Sequence, residues 1–226
     1  MDKTEIFGIK FDNLTMEEAL ENIQGFIVLL YSEFVVRAQK DEEFRNILNS
    51  ADFCLCESRG LWLMARLLGR KIKEPINGVD LIYNLVSKFE IRNSKFFLFG
   101  GTEGVVCKTK EKLGDKIIGY VNGYQDYSKV IEKINLLKPD VLLVGLGSPK
   151  QERFIAENLS KVPSVKLAIG VGGAFDFISG HIRRAPRFFQ KIGFEWLWRL
   201  FVQSKRMKRI FKGVGGLLYL TIKNML

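Results

Sequence analysis

The chain has 226 residues, of which 47% are hydrophobic and 27% charged. That composition fits one globular domain, with or without an appendage, and excludes disorder over most of the length. Three cysteines (Cys54, Cys56, Cys107) do not make a disulfide scaffold, and the single histidine, His181, excludes a multi-histidine metal site and any Ser–His–Asp triad it does not serve itself.

The opening MDKTEIFG holds neither a basic region nor an apolar run, so no signal peptide is expected. No apolar stretch approaches the roughly 18–20 residues of a membrane-spanning helix. Charge is distributed unevenly. Of the 35 Lys and Arg, 11 lie in residues 181–226, against one acid there, Glu195, so this stretch carries the whole net charge of +10 and the first 180 residues balance. A neutral body with a basic tail points to an anionic partner: a membrane surface, a nucleic acid or a phosphate-rich ligand. The alternative is a solvated basic face with no specific partner.

In chain order, Thr15-Met-Glu-Glu18 is a capping box that predicts a helix over 15–24. The apolar run 26–30 predicts a buried strand, 41–49 a helix with acids in its first turn, 53–56 a short strand and 60–68 an apolar-rich helix. A linker, KIKEPING, precedes a helix over 78–89 with Asn77 as its cap. The second half is more regular. Strands are predicted at 95–99, 116–121, 140–144 and 165–169, with helices after the first three, the last two near 128–137 and 151–159. Continuous apolar strands alternating with helices predict an α/β fold: a Rossmann-like parallel sheet with helices on both faces.

Three strand ends carry glycine: Gly100-Gly101, Gly145/Gly147 and Gly172-Gly173. In such sheets ligands bind beyond the carboxyl ends of the strands, where glycine admits a phosphate or sugar to the backbone and a helix N-terminus favours an anion. None of the loops is GxxxxGK[ST], and GGTEG is not a complete GxGxxG, so a nucleotide or phosphorylated ligand is predicted without either of those signatures. Cys54-x-Cys56 lacks a second pair at ligand spacing and reads as two core thiols. No Asp-x-Asp occurs, so a sugar transferase built on this chain is expected to neutralise its leaving diphosphate with backbone amides and arginines, with no metal. The acids at loop positions are Glu57, Asp80, Glu152 and Asp176. Glu57 stands between a strand and a helix, as a general base or as a cap of the helix starting near Ser58. Asp176 is a partner for a base or ribose, or for a local turn.

Three long segments, LVGLGSPKQERFI (143–155), GVGGAFDFISGHIRRAP (170–186) and GFEWLWRLFVQSKRMKRI (193–210), resemble the WecG/TagA/CpsF family, glycosyltransferase family 26. IFGIKFDNLTMEEAL, ARLLGRKIKEPINGVDLI and KFFLFGGTEG extend the resemblance over nearly the whole chain. The resemblance implies inverting, metal-independent transfer of an N-acetylmannosamine-type sugar from a UDP donor to a polyprenyl-diphosphate-linked N-acetylglucosamine. The products feed teichoic acid or other cell-surface polysaccharide. It also implies no cofactor, a cytoplasmic location at the inner face of the membrane, a core over 1–190 and a basic helical appendage over 191–226, while the Trp, Leu and Phe interleaved with the basic residues of the tail argue for lipid over a nucleic-acid partner. A homo-oligomer is left open.

By the same resemblance, Gly100, Gly101, Thr102, Tyr124, Gly147, Pro149, Gln151, Gly172, Gly173 and Asp176 would hold the nucleotide-sugar. Glu57 and Gln151 would be catalytic, and Arg199, Arg206 and Arg209 would engage the acceptor diphosphate. The first half departs from the family pattern. Leu29-Leu30-Tyr31 stands where the family shows Thr-x-Asn, Glu57 where it shows the aspartate of Pro-Asp-Gly, and Pro75 where it shows an arginine. These departures imply a changed acceptor or a loss of activity. In the tail, Trp196 and Trp198 beside Lys205, Arg206, Lys208 and Arg209 suit a membrane interface; packing of the tryptophans on the core is the competing reading.

Overall fold

The computed structural model describes residues 3–88, 93–186, 189, 198 and 207–223. Its centre is a six-stranded, all-parallel sheet of β3 (Gly25–Leu30), β4 (Phe53–Cys56), β5 (Phe96–Gly100), β6 (Ile117–Val121), β7 (Val141–Gly145) and β8 (Leu167–Gly170), in the order β4-β3-β8-β7-β5-β6. The predicted class is therefore observed, and every strand of this sheet lies within a residue or two of its expected place. Strand residues alternate between the faces, as the period of two requires. Phe26, Val28 and Leu30 join one core cluster with Phe97, Phe99 and Phe154, while Ile27 and Leu29 join the other with Leu98, Leu143 and Ile169.

An antiparallel hairpin, β1 (Lys3–Ile6) and β2 (Ile9–Asp12), was not expected from the sequence. Its two-residue turn is Phe7-Gly8, both at positive φ (53° and 77°). That geometry normally selects Asn-Gly or Asp-Gly, so Phe-Gly gives little turn signal. The hairpin covers the β4 edge of the sheet. Buried Asp12 accepts the Cys54 amide at 2.9 Å and pairs with Lys3 at 3.4 Å.

The capping box forms as predicted at the start of α1 (Met16–Asn22), with Thr15 and Glu18 exchanging hydrogen bonds, but the helix ends two residues short of its predicted end. A helix absent from the sequence reading, α2 (Ser32–Ala38), follows β3 directly. The next helices, α3 (Glu42–Ser50), α4 (Arg59–Leu67), α5 (Gly78–Lys88), α6 (Glu103–Leu113), α7 (Tyr127–Leu137) and α8 (Lys150–Asn158), match predicted segments. A short α9 (Ala174–Ile178) follows β8 and was not foreseen. The last described helix, α10 (Met207–Lys223), packs on α2 and also touches α4. Its approach to α2 is close because Gly213 lies against the Glu33 backbone and Gly216 against Val36, with Leu217 and Thr221 buried beside them.

Candidate functional site

All six parallel strands point the same way, so their carboxyl ends form one edge. The sequence-predicted residues collect there: Glu57 after β4, Gly100, Gly101 and Thr102 after β5, Tyr124 after β6, Gly147, Pro149 and Gln151 after β7, and Gly172, Gly173 and Asp176 after β8. The loops are laced together laterally. The Gly123 amide donates to Gly101 O at 2.9 Å, the Gly101 amide to Gly145 O at 3.2 Å, and the Val171 amide to Val144 O at 2.9 Å.

Part of the glycine pattern is explained by this lacing alone. Gly100 has φ +134°, and a Cβ there would overlap the Gly145 backbone. Gly100→Ala is therefore expected to cost about 3 kcal/mol or more through overpacking and backbone strain. A denaturant melt measures this; an unchanged midpoint would mean that β5 and β7 separate freely. Gly147 differs. Its φ is +77° and nothing lies within 4 Å of where its Cβ would be, so its loop is open to a ligand.

Helix capping separates this edge into two kinds of terminus. At the starts of α3, α4 and α7, the side chains of Asp41, Ser58 and Asp126 accept a backbone amide. At the starts of α2, α6, α8 and α9, Tyr31, Thr102, Pro149 and Gly173 make no side-chain cap, and of these four only α6 and α8 are longer than seven residues. The first amides of those two helices carry the positive end of the helix dipole and have no side-chain acceptor at the N-cap, a standing site for an anion.

Gln151 is 1% exposed and joins two loops. Its Oε1 accepts the Gly147 amide at 3.1 Å and the Gly172 amide at 2.9 Å, and its Nε2 donates to Glu152 Oε1 at 2.7 Å. The structure thus gives Gln151 a positioning role: it sets the distance between the β7 and β8 loops. Glu152 is equally buried, behind these loops, and a Cβ on Gly170 would crowd both side chains.

Glu57 does not cap α4; Ser58 does, accepting the Leu61 amide at 3.2 Å. Glu57 Oε1 instead accepts the amide of Gly78, the first residue of α5, at 3.3 Å, beside the Leu29 side chain. The carboxylate is partly exposed at the strand edge. Next to it, burial first and the Glu57 charge second push the Cys56 thiol up to about 12. Burial also raises Cys54, with the Asp12 charge adding to it, so both are protonated core thiols, as the sequence predicted. Among the described residues no three His, Cys, Asp or Glu side chains come together as metal ligands would.

Asp80, a candidate acid in the sequence, is held by Arg184 in a two-pronged ion pair at 2.6 Å on each oxygen, and Arg184 also reaches Asn77 at 3.3 Å. Asn77 caps α5 as predicted, accepting the Val79 amide at 3.0 Å. Sequence reasoning missed Arg184; its signal was the Arg-Arg pair of HIRRAP following a glycine loop. Tyr31 is the other omission as a contact. Its hydroxyl lies 3.1 Å from where a Cβ on Gly172 would stand, which carries a side chain from the β3 end across to the β8 loop. Tyr124 is 82% exposed, with its amide bonded to Asn122. The Asp176 backbone carbonyl closes the local turn, accepting the Ile182 amide at 3.0 Å.

Arg199 and Arg206 lie outside the described residues, as does the Arg209 side chain; so does Trp196. The Trp198 indole donates to Arg183 O at 3.2 Å and its ring packs against Phe189. No helix among the described residues is long and apolar enough to cross a membrane.

A parallel α/β sheet with an acid and uncapped helix starts at one strand edge offers a place suited to an anionic ligand. Comparison with known proteins narrows this. Residues 4–226 match the model of the Glycosyl transferase WecG/TagA/CpsF family, and the chain belongs to that family of glycosyltransferases. A relative from Bacillus spizizenii is 34% identical over 196 residues, 84% of this chain and 76% of its own. One from Bacillus subtilis is 32% identical over the same shares. One from Staphylococcus aureus is 30% identical over 92% of this chain and 88% of its own. Each is named N-acetylglucosaminyldiphosphoundecaprenol N-acetyl-beta-D-mannosaminyltransferase.

Proposed function

We propose that this glycosyltransferase moves an N-acetylmannosamine-type sugar from UDP to a polyprenyl-diphosphate-linked N-acetylglucosamine, with inversion and without a metal, at the cytoplasmic face of the membrane. The observation that carries the reading is the pairing, at one strand edge, of uncapped α6 and α8 N-termini with the Glu57 carboxylate. The names of the relatives support the sugar and the acceptor. In the reaction, Glu57 takes the proton of the acceptor hydroxyl. The hydroxyl oxygen attacks the anomeric carbon from the face opposite UDP, and the bond from that carbon to the β-phosphate oxygen breaks. The electron pair leaves on UDP, where the backbone amides of the glycine loops receive the charge. Tyr124 and Asp176 hold the nucleoside. Arg199, Arg206 and Arg209 neutralise the acceptor diphosphate.

Calorimetric titration of UDP, with ADP as control and no metal added, tests the donor half. Selective UDP binding is expected. Equal binding of both, or of neither, would remove the uridine assignment. A second reading is favoured by one observation. Tyr31 reaches Gly172 from a position where the family shows a smaller asparagine, so the acceptor side is filled differently. In that reading the chain binds the UDP-sugar at the membrane without transferring it, or transfers it to another acceptor. Transfer across a panel of lipid-linked sugars decides between them.

A further inference from the structure

The strongest unassigned feature is the paired outer faces of α4 and α10. Helix α4 buries Leu61 and Ala65 and leaves Leu63, Arg66 and Leu67 exposed, at spacings of three and four residues, with exposed Arg70 beyond its end, after the Gly69 turn. Helix α10 buries Gly213, Leu217 and Thr221 and leaves Leu218, Tyr219 and Ile222 exposed on its back, at the same kind of spacing. Such spacing gathers side chains into one stripe along a helix. Leu63, Leu67, Leu218, Tyr219 and Ile222 are between 47% and 65% exposed, and these two helices touch each other. Every charged residue in both helices is basic. The Arg66 guanidinium lies over the Trp62 ring, 4.8 Å from its centroid, beside the leucines.

We infer that α4, a helix of the core, joins α10 to form one membrane-docking face, with an anionic phospholipid bilayer as its occupant. The inference rests on the proposed lipid-linked acceptor and extends it: the attachment is made by the body as well as by the basic tail. Charge selects the occupant. Two copies meeting through this face would set Arg66, Arg70, Lys212 and Lys223 against the same residues of the other, since a two-fold contact is self-complementary. An anionic leaflet removes that conflict, and exposed leucine and tyrosine beside basic groups suit the interfacial zone. Nucleic acid would use the charge and leave the apolar stripe unexplained.

The test is co-sedimentation of the full chain with vesicles of phosphatidylglycerol and phosphatidylcholine in equal parts, and with phosphatidylcholine alone. The unaltered chain is expected to bind the mixed vesicles. The double variant Leu63→Ser, Leu67→Ser is expected to bind them on the order of 100-fold more weakly, with the basic tail intact. Arg70→Gln is expected to cost about fivefold on the anionic vesicles and nothing on phosphatidylcholine. Leu136→Ser serves as the control, because Leu136 is 79% exposed on α7. Thermal melts of all variants exclude misfolding. If the double variant binds like the unaltered chain, α4 is not part of the docking face. If instead its mass in sedimentation velocity drops from dimer to monomer while vesicle binding persists, the face joins two copies. If the unaltered chain binds neither vesicle, the membrane reading fails together with this inference, while UDP titration still reports separately on the donor site.

Discussion

Glu57→Gln is expected to slow sugar transfer by about 100- to 10,000-fold, the range that a positioned general base contributes, and to leave UDP affinity and melting temperature unchanged. Glutamine keeps the length of the side chain and an oxygen for the Gly78 amide, so α5 retains its contact. What it loses is the ability to take a proton. Glu57→Asp makes a second, sharper variant. It restores the residue type of the family pattern but draws the carboxylate back by about 1 Å, enough to cost on the order of 100-fold when geometry decides the rate. The surroundings here are also altered, with buried Leu29 against the same Gly78 and Pro75 just upstream. A longer acid reaching out of an apolar wall is consistent with that substitution pattern. Steady-state transfer with a lipid-linked acceptor, alongside calorimetry, measures both effects. Full turnover in Glu57→Gln would remove this residue from the chemistry and leave the crevice without its base.

The sheet was legible because its strands are buried on both faces and read as continuous apolar runs, from FIVLL at 26–30 to DVLLV at 140–144. Local hydrogen bonding was legible where it is encoded within four residues, as in the Thr15–Glu18 box. Helix α2 was hidden because its N-cap, Tyr31, offers no capping side chain, and Phe34 and Val35 extend the apolar character of the preceding strand. The hairpin was hidden by its Phe-Gly turn. The strand ends that carry the site were legible as glycine loops, yet their partners were not. Glu57 meets Gly78, Asp80 meets Arg184 and Gln151 meets Gly172 only because the sheet is ordered β4-β3-β8-β7 and folds distant segments to one edge. A single sequence shows which residues have suitable chemistry. Which of them face one another depends on strand order, which local patterning does not contain.

Gln151→Leu is expected to lower stability by about 2–6 kcal/mol, because two backbone amides lose their acceptor and each buried orphan costs about 1–3 kcal/mol. For a chain of this size that corresponds to a melting temperature lower by roughly 5–20 °C. UDP affinity is expected to fall with it, since the Gly147 and Gly172 loops are no longer held at one separation. Gln151→Glu separates the geometric part from the electrostatic part. Its carboxylate still accepts both amides, but it places a second acid against Glu152, whose Oε1 now receives a hydrogen bond from Gln151. Two carboxylates at that distance share a proton, which raises the folded-state pKa of the pair above the unfolded value. The sign follows by linkage: the variant is most stable in acid, below the unfolded carboxylate pKa, and loses stability as pH rises through the raised value. Thermal melts from pH 4 to pH 8 are expected to show both variants declining against the unaltered chain as pH rises, Gln151→Glu the more steeply, because Gln151→Leu takes the Nε2 donor away from buried Glu152 but adds no second carboxylate beside it. If Gln151→Leu melts normally and still binds UDP, water satisfies the two amides and the spacing of the loops is set by the strands alone.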